Sequence, residues 1–105
     1  MTVNFKAFRS EAEVEQFLEQ HLSIGSASPD DVTAFLKTFS LEPSALSHDT
    51  ALPNGISPSP FDGLIDCMAP ASATLLILQN VWFMYFLFAE GRLTRIVVQK
   101  FRLGV

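Results

Sequence analysis

The side chains able to do covalent or acid–base chemistry are few: one cysteine, Cys67, and two histidines, His21 and His48, stand among eleven acidic residues. A cysteine attacks as a thiolate, so Cys67 would need a base to take its proton and a donor to hold the oxyanion. His48, followed by Asp49, could supply the base in a Cys67–His48–Asp49 arrangement. Asp49, Asp62 and Asp66 could instead converge as a carboxylate pair whose mutual repulsion splits their proton affinities. The simpler expectation is structural: Cys67 buried in a strand, Asp62 in a turn, Asp66 on an exposed strand position and His21 on the border of a helix. No catalytic residue is assigned, although Cys67, His48, Asp49 and Asp66 stay as candidates.

Other chemistries find less support. The histidines are 27 residues apart and the acids are scattered, which gives no metal-ligand spacing. The five glycines are isolated, so no loop can cradle a phosphate, and no cofactor is expected. A single thiol rules out an internal disulfide but does not fix the compartment. The net charge of −4 is unevenly spread, with −9 over residues 10–66 and +3 over residues 67–105. Four dispersed C-terminal cations make a poor phosphate footprint, so nucleic acid is not expected as a partner.

These side chains must be positioned by a single domain of 105 residues, 49% apolar. Ser10 and Glu13 read as a capping box opening a helix whose apolar stripe is Val14, Phe17, Leu18, His21 and Leu22, with Glu11, Glu15 and Glu19 toward solvent. Gly25 reads as a turn. Ser28, Pro29, Asp30 and Asp31 form a strong helix start, followed by the stripe Val32, Phe35, Leu36 and Phe39. Residues 42–62 hold four prolines and four serines and read as a long loop, pinned in part by Leu46, Leu52, Ile56 and Phe61.

The remainder reads as strands: Gly63–Ala69 ending before Pro70, then Thr74–Leu78 and Val81–Phe88 with a break at Gln79-Asn80, and Leu93–Leu103 after a turn at Glu90-Gly91. The expected fold is α+β, two N-terminal helices on a three- or four-stranded antiparallel sheet. Val81–Phe88 is apolar on both faces, with Trp82, Met84, Phe86 and Phe88 on one and Val81, Phe83, Tyr85 and Leu87 on the other. A strand with one solvated face should alternate with polar residues, so the second face calls for a cover. That cover is the loop, residues Val3–Phe8, a second copy of the chain, another protein or an apolar ligand. Trp82, Phe83 and Tyr85 are the candidate interface anchors.

The segment HLSIGSASPDDVTAFLKTFSLEPSAL, with VWFMYFLFAEGRLTRIVV far downstream, resembles the small domains of the SmpA/OmlA outer-membrane assembly lipoprotein and beta-lactamase-inhibitor-like superfamily. Gly25, Ser28, Val32 and Leu36 match the turn and capped helix, and Trp82, Phe86, Phe88, Gly91, Arg92 and Leu93 match the late aromatic hairpin. The resemblance implies a protein-binding or assembly module and says nothing of catalysis. The chain departs from the lipoprotein members in having no export segment or lipid-bearing cysteine near its start, since Cys67 lies deep in the chain. The start MTVNFKAFRS has no apolar core, and Ala73–Phe88 is too interrupted to span a bilayer, so the expectation is cytoplasmic, or periplasmic if an export segment has been removed.

Two functional expectations follow. The first is a non-catalytic binding or assembly module that pairs with another protein or a second copy of itself. The second is a small-molecule-binding or hydrolytic protein with an apolar pocket under the 46–61 loop.

Overall fold

A computed structural model describes residues 5–48, 61–75 and 78–104; the Asp49, Leu52 and Ile56 expectations lie outside the described residues. Two helices pack on a three-stranded antiparallel sheet. A 3-10 turn at Phe5–Ala7 precedes α1 (Glu11–His21) and α2 (Pro29–Lys37), followed by β1 (Gly63–Leu75), β2 (Leu78–Ala89) and β3 (Arg92–Gly104) in the order β1-β2-β3.

Both helix starts follow from short-range hydrogen bonds. Ser10 caps α1 by accepting from the Glu13 N–H, but Glu13 returns its own bond to the Arg9 N–H (2.6 Å), one residue earlier than a reciprocal box would have it. At α2 the box is complete: the Ser28 hydroxyl accepts from the Asp31 N–H, and the Asp31 carboxylate accepts from the Ser28 N–H. Val14, Leu18, Leu22, Val32 and Leu36 are buried against the sheet. Phe17, Phe35 and Phe39 are only partly buried and fill the seam between the helices with Phe5, Phe8 and the His21 ring.

The strands depart from the sequence expectation in three places. β1 does not stop before Pro70 but continues through it, with Pro70 opposite Val81. The Leu64 and Asp66 N–H groups both point away from β2, toward Ser47 O and Ser44 Oγ, so position 70 shares that outward register and needs no donor. Gln79 and Asn80 lie within β2, and the chain reverses between the paired Leu75 and Leu78 instead. Leu87 pairs with Arg95 while Phe88 pairs with Leu93, which leaves Thr94 as a bulge whose hydroxyl donates to the Leu87 carbonyl at 3.1 Å. The β2–β3 reversal is as expected: Glu90 and Gly91, at φ 54° and 76°, form the two-residue turn with both residues left-handed.

The core lies between the helices and one sheet face. Ile65, Cys67, Trp82, Met84, Phe86, Phe88, Leu93, Ile96 and Val98 line that face. At its centre Trp82 is 0% exposed, its indole N–H donates to the Phe5 carbonyl at 2.9 Å, and the Lys100 ammonium sits 5.5 Å from the ring centroid. The bond satisfies the one polar atom of a deeply buried ring and fixes the N-terminal turn to the sheet across 77 residues of sequence.

Both edges of the sheet are occupied. Along β1, the Ser44 N–H donates to the Asp66 carbonyl, and Ser47 and Leu64 exchange both backbone bonds at 2.8 Å. Along β3, the Gly25 N–H donates to the Leu93 carbonyl and the Leu93 N–H to the Ala27 carbonyl. Farther along, the Glu11 carboxylate accepts from the Lys100 N–H at 2.9 Å and Glu15 accepts from the Val98 N–H. Glu11 and Glu15, which the helical pattern assigns to solvent, thus turn toward the sheet.

Two measurements check these contacts. Trp82→Phe, which orphans the Phe5 carbonyl and leaves a gap, should lower unfolding free energy in urea by about 2 kcal/mol; a change below about 0.5 kcal/mol would show that the bond carries no weight. Glu15 is held above the usual carboxyl range, first by desolvation, against which the Val98 N–H lowers it, with Glu19 and Glu11 raising it and Arg95 lowering it. Its folded form binds a proton more tightly than the unfolded form, so stability falls as pH rises from the unfolded value of 4.5 through the folded one. Glu15→Gln should therefore be the more stable protein at pH 7, by less than about 1 kcal/mol, with the difference vanishing below the unfolded pKa. Equal stabilities across the whole pH range would contradict this.

Candidate functional site

Cys67 points from β1 into the helix-facing core and is 2% exposed. Removal from water, followed by the negative charge of Asp66, pushes its thiol up to about 11. The Sγ lies 3.9 Å from the Met68 carbonyl, and the Met68 backbone hydrogen bond offsets part of that rise. A nucleophilic cysteine needs the opposite, a cation or helix N-terminus beside an accessible sulfur.

His48 is exposed at the start of β1, where its Nδ1 bonds the Asp62 carbonyl at 2.8 Å. A carbonyl only accepts, so Nδ1 carries the hydrogen and Nε2 bears the lone pair when the ring is neutral. Cys67 is five residues beyond Asp62, roughly 16 Å along an extended chain. Asp66 is exposed, adjacent to Cys67 in sequence but directed to the other face. Cys67, His48 and Asp66 therefore do not converge, and Asp49 lies outside the described residues. Asp62 has a structural task at the hairpin end: its N–H donates to the Phe88 carbonyl and its carboxylate accepts from the Glu90 N–H.

His21 occupies a different setting. Its Nδ1 donates to the Phe17 carbonyl at 3.0 Å, and its ring stacks on Phe35 at 5.7 Å. With Ser23, Ser26, Asp31 and Phe35 it lines an open cleft of about 320 Å³ between the end of α1 and the start of α2. The sequence pattern missed this cleft because it joins a helix end to a helix start across the turn. One oxygen of the Asp31 carboxylate accepts from the Ser28 N–H, and the His21 Nδ1 is taken by the Phe17 carbonyl. Among the described residues, no three His, Cys, Asp or Glu side chains gather around a common point that could hold a metal ion, and no helix is long and apolar enough to cross a membrane.

The three aromatic candidates divide between the faces of the sheet. Trp82 is sealed beneath Lys100 on the helix side and presents no ring outward. Phe83 and Tyr85 lie on the opposite face, where Phe83 packs edge-on against Phe101 at 5.0 Å and parallel to Tyr85 at 6.4 Å. Across that face the cross-strand rows run Leu64–Leu87–Arg95, Asp66–Tyr85–Val97, Met68–Phe83–Gln99 and Pro70–Val81–Phe101. The row nearest the β2–β3 turn is closed, with Leu87 at 0% exposure and Phe61 packed beside it. Burial and the neighbouring Asp66 charge both raise the Tyr85 phenol. Farther from that turn exposure is uneven: Tyr85 at 8% and Val81 at 3% are buried, while Met68 is 48% and Phe101 39% exposed, with Phe83 half-buried between them. Met68 and Phe101 escape a reading of β2 alone, because strand register is what brings them beside Phe83.

The buried, protonated thiol makes a direct prediction. Cys67 in the native protein should resist iodoacetamide at pH 8 and react fully once urea unfolds the chain; labelling of the native protein at the rate of a free thiol would place the sulfur in solvent.

No protein-family model, curated protein or solved structure matches this chain, so the likeness to SmpA/OmlA-type domains rests on the quoted residues alone.

Proposed function

We propose that this chain is a non-catalytic assembly module that pairs with a second copy of itself through the outer face of its sheet. The observation that carries the reading is the apolar strip Met68–Phe83–Phe101, which crosses all three strands on a face where a solvated sheet would carry polar side chains. Charge distribution favours a like partner. The acidic excess belongs to the helix layer, with Glu11, Glu13, Glu15 and Glu19 on α1 and Asp30 and Asp31 on α2, while the outer face carries the acid Asp66 and the bases Arg95 and, at the turn end, Arg92. Two copies meeting sheet to sheet thus keep their like charges on opposite outer layers.

Three strands about 4.8 Å apart and the three side-chain rows beyond the closed one, about 6.8 Å apart, cover at most roughly 300 Å² per copy. That is under half the usual contribution to a stable interface, so the pairing is weak, micromolar and concentration-dependent. Phe83 and Phe101 are its expected anchors, and the motif likeness to SmpA/OmlA-type domains also points to binding rather than catalysis.

The test is sedimentation of the wild type and the Met68→Asp/Phe101→Asp variant. The wild type should shift toward twice the monomer mass by about 100 µM, while the variant stays monomeric with unchanged far-UV circular dichroism. A wild type that remains monomeric throughout, or a variant that still doubles, would overturn the reading.

A further inference from the structure

Where α1 ends and α2 begins, the chain leaves the open cleft of about 320 Å³, room for roughly ten water volumes. Every polar side chain that lines it can accept a hydrogen bond. The His21 Nδ1–H is held by the Phe17 carbonyl, so the neutral ring has Nε2 as an acceptor. Asp31 gives one carboxylate oxygen to the Ser28 N–H, and its second oxygen takes no part in the cap. Ser23 and Ser26 add hydroxyls, and Phe35, stacked on the His21 ring, supplies an aromatic wall.

The charges around the cleft have one sign. Helix α1 ends there with no lysine or arginine in its last turn, so its negative dipole end is unopposed by a strong cation. Residues 10–66 contain one base, Lys37, which lies at the far end of α2, about 9 Å along the axis from Asp31. Arg92 adjoins Leu93, which bonds Ala27, but it points to the outer face of the sheet. An anion would meet Asp31 with Asp30 beside it, and it would find few donors at the start of α2: Pro29 has no N–H, and those of Ser28 and Asp31 are engaged in the cap. A metal ion would find His21 and Asp31 alone, fewer than three ligands.

We propose that this cleft binds a guanidinium group, with Asp31 and the His21 Nε2 taking its N–H donors and Phe35 flanking its plane. A guanidinium is flat, weakly hydrated and stacks on aromatic rings, whereas an ammonium in so open a cleft keeps its water. The inference is independent of the pairing through the outer face, because the cleft belongs to the helix layer.

The test is an amide-shift titration of the full chain with butylguanidinium in low salt at pH 8. Binding should saturate with a Kd on the order of 1 mM, with the largest shifts within residues 21–35. Butylammonium and the neutral isostere butylurea should bind at least about fivefold more weakly. Asp31→Asn, whose amide oxygen can still cap Ser28, should weaken butylguanidinium about tenfold and Phe35→Leu about threefold, while Asp30→Asn, which removes the same charge from the same helix end outside the cleft, should change it less than twofold. A blocked Gly-Arg-Gly peptide that binds more tightly than butylguanidinium would assign the group to an arginine side chain, and weaker binding would assign it to a free small guanidine. No saturation by 20 mM, equal binding of butylurea or butylammonium, an equal loss in Asp30→Asn, or shifts centred on Met68 and Phe101 would each overturn the proposal.

Discussion

A three-stranded sheet has only one interior strand, and so its two edges and two faces must be closed by whatever else the chain supplies. Here the supply is two short helices, a 3-10 turn and the opening residues of a long connection. The contact on which their arrangement depends is the Trp82 indole, which binds the Phe5 carbonyl from the middle of β2 and is roofed by Lys100. A ring of that size at the centre sets the height at which the helices ride. It also explains why Phe5, Phe8, Phe17, Phe35 and Phe39 are needed around it: short helices raised on a tryptophan leave a seam that only large side chains can fill.

Edge closure follows from the same geometry. With α1 seated over the β3 side of the sheet, its glutamates reach strand amides that would otherwise offer a template for pairing. Helix and strand differ in pitch, yet the four-residue and two-residue repeats agree to within an ångström, which permits two consecutive bonds. The desolvation that Glu15 suffers is the counterpart of this closure: a charge drawn to the sheet edge loses part of its water and gains one backbone donor. On the other side the chain lays Ser44 and Ser47 beside Asp66 and Leu64, with backbone bonds and the Ser44 hydroxyl, which accepts from the Asp66 N–H, while Pro70 has no donor to satisfy.

What could be read in the residues was whatever their immediate neighbours decide. The cap at Ser28, the left-handed Gly25 and Gly91, and the two-sided apolarity of β2 are local, and each holds in the fold. The readings that failed depend on distant partners. Pro70 looks like a strand end until β1 is known to be an edge, and Gln79-Asn80 looks like a turn until Leu75 is found opposite Leu78. Glu11 and Glu15 look solvent-facing because a helical period cannot reveal that a strand 89 residues away leaves its amides within reach. The same limit applies to the candidate site. Burial of Trp82 and Cys67 follows from their shared face, but their identity as core rather than surface required knowing which face the helices choose.

That choice has a consequence for function. Among the described residues both edges and the helix-side face are closed, and the closed row at Leu64, Leu87 and Phe61 leaves Met68 and Phe101 as the exposed apolar groups of the outer face, away from the β2–β3 turn. Flat apolar sheet surface is poor at holding a small molecule, which needs concave walls, whereas another flat sheet matches it in shape. Among the described residues the candidate reactive groups are kept apart. The one thiol is on the enclosed face, the two histidine rings are each tied to a backbone carbonyl at different ends of the fold, and the exposed carboxylate of Asp66 stands on the side opposite the sulfur. The reactive groups are thus separated by the sheet itself, and what the sheet brings together is methionine and phenylalanine.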